Sequence, residues 1–162
     1  MAIGATPIED DLYREIILDH FRRPRHAGRV EPADAVVEAS NPLCGDEITL
    51  TLRRTGEQID EVAFDGRGCS ISQASASMLC DTVTGMGVGD AVQLAERFRT
   101  MLVGDGPSSD IGDLEALKGV KAYPVRVKCA TLAWNALLQA VQGAPVRDPR
   151  NLEEAHDDRG GA

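Results

Sequence analysis

The sequence predicts an α+β domain: a small three-stranded antiparallel sheet with helices packed on one face. Three observations predict it. The runs Ala35–Ser40, Ile48–Arg54 and Ile59–Phe64 are strand-like, and the second alternates with a period of two, Ile48, Leu50 and Leu52 against Thr49, Thr51 and Arg53. Helical spacing occurs only before the first run and after the third. The segment Thr55-Gly56-Glu57-Gln58 is a hairpin loop joining the last two runs, so they must pair antiparallel.

Taken in order, Thr6-Pro7-Ile8-Glu9 starts a helix, with Thr6 at the N-cap, Pro7 at the first helical position and Glu9 at the capping-box position. Ile8, Leu12, Ile16, Ile17 and Phe21 follow at helical spacing, and Pro24-Arg25-His26-Ala27-Gly28 forms the turn that ends it. The sheet comes next, with one face expected to be solvated. After Asp65-Gly66-Arg67-Gly68 the pattern turns helical: Ser72–Val83, rich in Ala and Ser, then Asp90–Leu102 with Val92, Ala95, Phe98 and Leu102 near helical spacing. Val103–Gly112 reads as a Gly/Asp/Ser loop, Asp113–Leu117 as a short helix, and Pro124 opens a last helix to about Val141. Residues 1–142 thus make one domain, and the charged stretch 143–162, with Pro145 and Pro149, is expected to be a disordered tail.

Composition narrows the function classes. Against 17 basic residues stand 26 acidic ones, for a net charge of −9 in 162 residues. Such a chain has no general attraction for nucleic acid or an anionic membrane, and favours metal cations or a basic protein surface. No stretch approaches the roughly 18 apolar residues of a membrane span, and the N-terminus has neither the basic nor the apolar run of a secretory signal. A cytoplasmic location is expected, where thiols stay reduced, so the four cysteines read as ligands or reactive thiols rather than disulfides.

Three short motifs carry chemistry. In Asn41-Pro42-Leu43-Cys44-Gly45-Asp46 a turn places Cys44 just before the second strand, and Gly45 lets the chain bend between a thiol and a carboxylate, both zinc ligand types. In Gly66-Arg67-Gly68-Cys69-Ser70-Ile71-Ser72 the cysteine sits at a helix N-terminus, where the dipole favours thiolate, with Arg67 adding positive charge and Ser70 or Ser72 available to cap. Cys129 heads the apolar stripe Leu132, Ala133, Ala136, Leu137, Ala140 and Val141, and on periodicity alone it reads equally as the first core residue of that stripe. Cys80 lies about 16 Å along the helix from Cys69, too far to share an ion with it, and reads as a packing residue. His20 on a surface-prone helix and His26 in a basic turn read as structural or solvated, and His156 falls in the tail. Each motif alone is compatible with a small buried cysteine and nothing more. The spacings, with no Cys-x-x-Cys, exclude a zinc finger or ribbon.

Together and in order, the motifs resemble the U-type iron–sulfur cluster assembly proteins, the IscU/SufU (NifU-like) family. The resemblance also takes in Gln73-Ala74-Ser75-Ala76-Ser77-Met78 after the second motif, Lys128-Cys129-Ala130-Thr131-Leu132-Ala133-Trp134, and the early Asp19-His20-Phe21 with Pro24-Arg25 and Gly28. It runs from about Leu12 to Val141. IscU-type scaffolds carry a His directly before the third cysteine, where this chain has Lys128, and a Leu-Pro-Pro-Val-Lys chaperone motif, where it reads Gly119-Val120-Lys121-Ala122-Tyr123-Pro124. The Val103–Gly112 loop looks like the insertion of SufU, so the chain is most similar to the SufU branch.

That resemblance implies a zinc-dependent sulfurtransferase. Zn2+ would be held by Cys44, Asp46, Cys69 and Cys129. A SufS-type cysteine desulfurase would pass persulfide sulfur to Cys44, and a downstream cluster-building Suf complex would receive it. Arg126 matches a family arginine that contacts the site or the donor, and Lys128 marks the branch. Since a ligated thiolate is a poor nucleophile, Cys44 would have to leave the metal while Asp46 stays, a partner side chain such as a histidine taking its position. Two alternatives remain open: a scaffold assembling a [2Fe–2S] cluster on the same ligands, and a purely structural zinc domain that docks a partner. The oligomeric state is not encoded in any of these motifs.

Overall fold

A computed structural model describes residues 7–104 and 111–142. The proposed cap Thr6, most of the Val103–Gly112 loop, and the whole of the expected tail lie outside the described residues. The elements run α1 (Pro7–Arg22), β1 (Ala35–Asn41), β2 (Asp46–Thr55), β3 (Gln58–Arg67), α2 (Ser70–Val83), α3 (Val88–Val103), a 3-10 helix (Gly112–Ala122) and α4 (Pro124–Val141). The sheet is antiparallel in the order β1-β2-β3. Thr55 pairs with Gln58, so the β2–β3 connection is a two-residue turn, and Gly56 takes the left-handed conformation (φ +59°) that such turns favour.

The alternation of β2 sets which face is buried. Ile48, Leu50 and Leu52 are at most 2% exposed, and α2 and α4 pack on that side of the sheet. Their partners across the sheet are Ala39, Val37 and Ala35 on β1, with Phe64 and Val62 on β3. Trp134 of α4 is fully buried against Phe98 of α3, with ring centroids 4.9 Å apart.

The opposite face departs from the expected solvated surface. The cross-strand row Val36, Thr51 and Ala63 is buried there. The segment before β1 covers it: Val30 is buried, and its N–H donates to Thr51 Oγ1 at 2.9 Å. Gly28 N–H donates to Phe64 O at 2.7 Å and Asp34 N–H to Leu52 O at 2.7 Å. A loop thus shields the centre of the sheet, and its own backbone groups are satisfied by doing so.

Two other expectations are corrected. Leu12 and Phe21 are exposed, because α1 packs on α2 and the 3-10 helix through Ile16, Ile17 and a buried His20. The short helix expected at Asp113–Leu117 is a longer 3-10 helix, in which buried Leu114, Leu117 and Val120, with Ile111 before them, repeat every three positions, and Ala116 is buried beside them. A three-residue turn eclipses i and i+3, so that repeat puts all four on one side.

Candidate metal centre

Three backbone junctions converge at one end of the sheet. The first is the β1–β2 connection. Asn41 and Asp46 pair across the ladder, leaving Pro42–Gly45 as the loop. Cys44 N–H donates to Asn41 O at 3.1 Å, and Gly45 is left-handed (φ +70°), which turns the chain back into β2. Asp46 enters the strand fully buried, while Cys44 stays partly exposed in the loop.

The second is the β3–α2 junction. Cys69, rather than Ser70 or Ser72, is the N-cap of α2, and its thiol accepts from Ser72 N–H at 3.5 Å. Ser72 is fully buried, with Oγ 3.1 Å from Asp46 Oδ1 and 3.1 Å from Cys69 O. Cys69 N–H donates to the same Asp46 oxygen at 3.0 Å. The helix N-terminus therefore holds a carboxylate by a backbone and a side-chain donor.

The third is the start of α4. Pro124 opens that helix and Cys129 follows, fully buried. Ser75 of α2 donates to Ala130 O at 2.6 Å and accepts from Trp134 Nε1 at 3.0 Å, which ties α2 to α4 beside Cys129. Asn41 Nδ2 donates to Cys129 Sγ at 3.7 Å, and that thiol contacts Val125 O at 3.7 Å.

These junctions bring the sulfurs of Cys44 and Cys129 and a carboxylate oxygen of Asp46 within 4.8 Å of one another. Asp46 Oδ2 is buried and has no hydrogen-bond partner among the described residues. An unpartnered buried carboxylate oxygen is costly, and a cation removes that cost. Two sulfurs and a carboxylate are a zinc donor set, so these residues fit a metal ion. Burial pushes the Cys129 thiol well above the ordinary range, reinforced by contacts with Cys44, Asp46 and Cys69. Burial thus disfavours the charged form of the Cys129 thiol.

The other candidates are placed as follows. Cys69 is not in that group of three; its thiol caps α2 and meets both the Arg126 guanidinium and the Cys129 thiol. Arg126 is exposed, and the negative charge of Cys69, followed by a hydrogen bond to it, raises its pKa further. Lys128 is exposed too, but lines a separate groove of about 560 Å³ with Glu96, Arg99, Lys121 and Thr131. Arg67 pairs with Glu47 at 3.4 Å rather than with Cys69. Cys80 is fully buried in the core, and burial pushes its thiol far up. His20 is not on the surface: it is 3% exposed, its Nδ1 is 2.8 Å from Ser77 Oγ and its Nε2 3.7 Å from Asp113 Oδ2.

Sequence reasoning missed Asn41 and Ser72 as the groups that contact Cys129 and Asp46. Both stand within the motifs, Asn41 as a turn former and Ser72 as a cap candidate, and only long-range contacts reveal what they touch. Gly68 is a further case. A Cβ there would lie 2.5 Å from both Asp46 Oδ1 and Ser72 Oγ, so the position requires glycine.

Comparison with known proteins agrees with this geometry. The pattern of the NifU-like N terminal domain family matches residues 12–130. The chain is 43% identical over 134 residues to the zinc-dependent sulfurtransferase SufU of Bacillus subtilis, covering 82% of this chain and 90% of that protein. It is 43% identical over 133 residues to the iron–sulfur cluster assembly scaffold protein IscU of Streptococcus pyogenes, covering 81% and 83%. The crystal structure of a putative iron–sulfur cluster assembly scaffold protein for the SUF system from Fervidobacterium islandicum superposes with a TM-score of 0.75 at 34% identity, covering 78% of this chain and 94% of that one. A match of this extent, over a chain whose three cysteine-bearing junctions meet at one site, shows that the protein belongs to the NifU-like N-terminal domain family that includes SufU and IscU.

Proposed function

We propose that this chain is a zinc-dependent sulfurtransferase of iron–sulfur cluster assembly, taking sulfur from a SufS-type cysteine desulfurase at Cys44 and handing it to a cluster-building Suf complex. The observation that carries the reading is the Cys44, Asp46 and Cys129 group with its orphaned Asp46 oxygen. The name of the Bacillus relative supports the choice of zinc and of sulfur transfer. Cys44, Asp46 and Cys129 would hold Zn2+, with Cys69 as the fourth ligand. Bound zinc would keep the sulfurs as thiolates at neutral pH.

The chain's own residues divide the work. Cys44 is the trio's partly exposed member and sits on a loop, so it is the one a partner reaches. Its thiolate attacks the outer sulfur of the donor persulfide. A new S–S bond forms on Cys44, the donor's S–S bond breaks, and the donor cysteine leaves as thiolate. Asp46 and Cys129, both fully buried, stay in place. Arg126, exposed beside Cys69, offers positive charge to the incoming persulfide and the leaving thiolate.

The test is a sulfur-transfer assay with a SufS-type desulfurase and cysteine, zinc and iron being measured on the same sample. Wild-type protein should hold near-stoichiometric zinc, stimulate the desulfurase and gain a persulfide on Cys44. Cys44→Ala should remain folded and lose both effects. Equal stimulation by Cys44→Ala would defeat the assignment.

A second reading, a scaffold for a [2Fe–2S] cluster, is favoured by the sulfur-rich donor set and by the name of the Streptococcus relative. Anaerobically isolated protein that is brown and iron-loaded, with little zinc, would select it. Among the described residues no helix is long and apolar enough to cross a membrane, which is compatible with the cytoplasmic location proposed for this chemistry.

A further inference from the structure

We propose that Ser72 is a positioning residue for Asp46: its hydroxyl occupies Oδ1, so that the carboxylate offers an ion only Oδ2. The inference rests on the metal-binding reading of the site and concerns how the ion is held. Asp46 is fully buried, and its two oxygens live in different surroundings. Oδ1 lies 3.0 Å from Cys69 N, which donates to it, and 3.1 Å from Ser72 Oγ. Oδ2 has no hydrogen-bond partner among the described residues. The hydroxyl has one proton and two acceptors at 3.1 Å, Asp46 Oδ1 and Cys69 O, and the ionised carboxylate is the stronger acceptor.

Two donors on Oδ1 draw its charge and fix the carboxylate plane. Oδ2 is the oxygen left without a donor, and the Asp46 carboxylate reaches within 4.8 Å of the Cys44 and Cys129 sulfurs. An ion bound there takes one oxygen from Asp46 and still needs the thiolates to complete a four-ligand shell, the closed arrangement of zinc held by protein. Without the hydroxyl, Oδ1 keeps only the backbone donor, and the carboxylate is free to swing both oxygens onto the ion. A two-oxygen carboxylate would make each thiolate, Cys44 included, less necessary to the ion.

Gly68 belongs to the same device. A Cβ at that position would fall 2.5 Å from both Asp46 Oδ1 and Ser72 Oγ, forcing the pair apart. Gly68→Ala therefore attacks the same contact while leaving both polar groups in the chain. The two variants reach one contact by unrelated chemistry.

The test uses the full chain loaded with cobalt(II) as a spectroscopic stand-in, together with zinc affinity measured by chelator competition. Wild-type protein should give the strong visible absorption of four-coordinate cobalt with thiolate ligands. Ser72→Ala and Gly68→Ala should both shift it to the weaker absorption of a five-coordinate ion. Zinc affinity should fall by about 10–100-fold in Ser72→Ala, the usual effect of removing a group that orients a ligand. Ser77→Ala, which removes a buried hydroxyl of the same helix that faces His20 and Arg25 instead, should keep the wild-type spectrum. A wild-type spectrum and affinity in Ser72→Ala would overturn the proposal and leave the metal reading standing. A shift in Gly68→Ala alone would also overturn it, since crowding rather than the hydroxyl would then be responsible. Wild-type protein that takes up neither ion would overturn the metal reading and this inference with it.

Discussion

Burial separates the cysteines more sharply than their spacing does. Cys80 and Cys129 are fully buried and burial raises both thiols, whereas Cys44 and Cys69 are partly exposed. Only thiolate reacts readily, and only where reagent can reach it. In zinc-free native protein, iodoacetamide should therefore modify Cys44 and Cys69 first, with Cys80 untouched until denaturant is added. Peptide mapping by mass spectrometry reads the order, and native-state labelling of Cys80 at a rate comparable to Cys44 would contradict it. The packing role of Cys80 was legible from its mid-helix position. That Cys69 itself caps α2, where Ser70 or Ser72 was expected, was not, because a cysteine N-cap carries no strong sequence preference.

At the level of elements, the junctions decide where ligands go. Gly66, next to last in β3, has φ +142°, and a Cβ there would strike the Glu47 carbonyl on β2. Both backbone strain and a clash with a neighbouring strand oppose any side chain. Gly66→Ala should destabilise the fold by about 2–4 kcal/mol, more than an ordinary surface change, read as a lower urea midpoint. An unchanged midpoint would show that β3 can shift to make room. The strands, α2, α3 and α4 were legible to within a few residues, because alternation and helical spacing are local. The full extent of the 3-10 helix escaped because its repeat is three, and a search for 3.6 ends it at Leu117. The α1 stripe was misplaced for a related reason: Leu12 and Phe21 are apolar, yet the face that packs is set by α2 and the 3-10 helix.

Across the whole molecule, His20 is the point where α1, α2 and the 3-10 helix meet. Burial lowers its pKa from 6.5, and the charge of Arg25 lowers it further, while Asp113 and Asp81 oppose the shift. The fold therefore favours the neutral ring. The resulting stability is present above the unfolded value of 6.5 and is lost as pH falls below it towards the folded pKa. Zinc-free protein should thus melt at progressively lower temperature below about pH 6.5. His20→Gln, which keeps a polar contact for Ser77 without titrating, should flatten that part of the profile. An identical pH profile in the variant would remove His20 from the account.

The sequence by itself determined the fold class and the order of elements, which follow from local periodicity; Cys44, Asp46, Cys69 and Cys129 stood out as candidate ligands only through the resemblance of three ordered motifs to the IscU/SufU family. Tertiary structure alone decided three other matters. It joined Cys44, Asp46 and Cys129 across strands and helices far apart in the chain while turning Lys128 away to another groove. It covered the second sheet face with Val30. It gave Asp46 one satisfied oxygen and one bare one. Each depends on contacts between residues more than 20 positions apart, and such contacts are set by how whole elements pack rather than by any window of sequence.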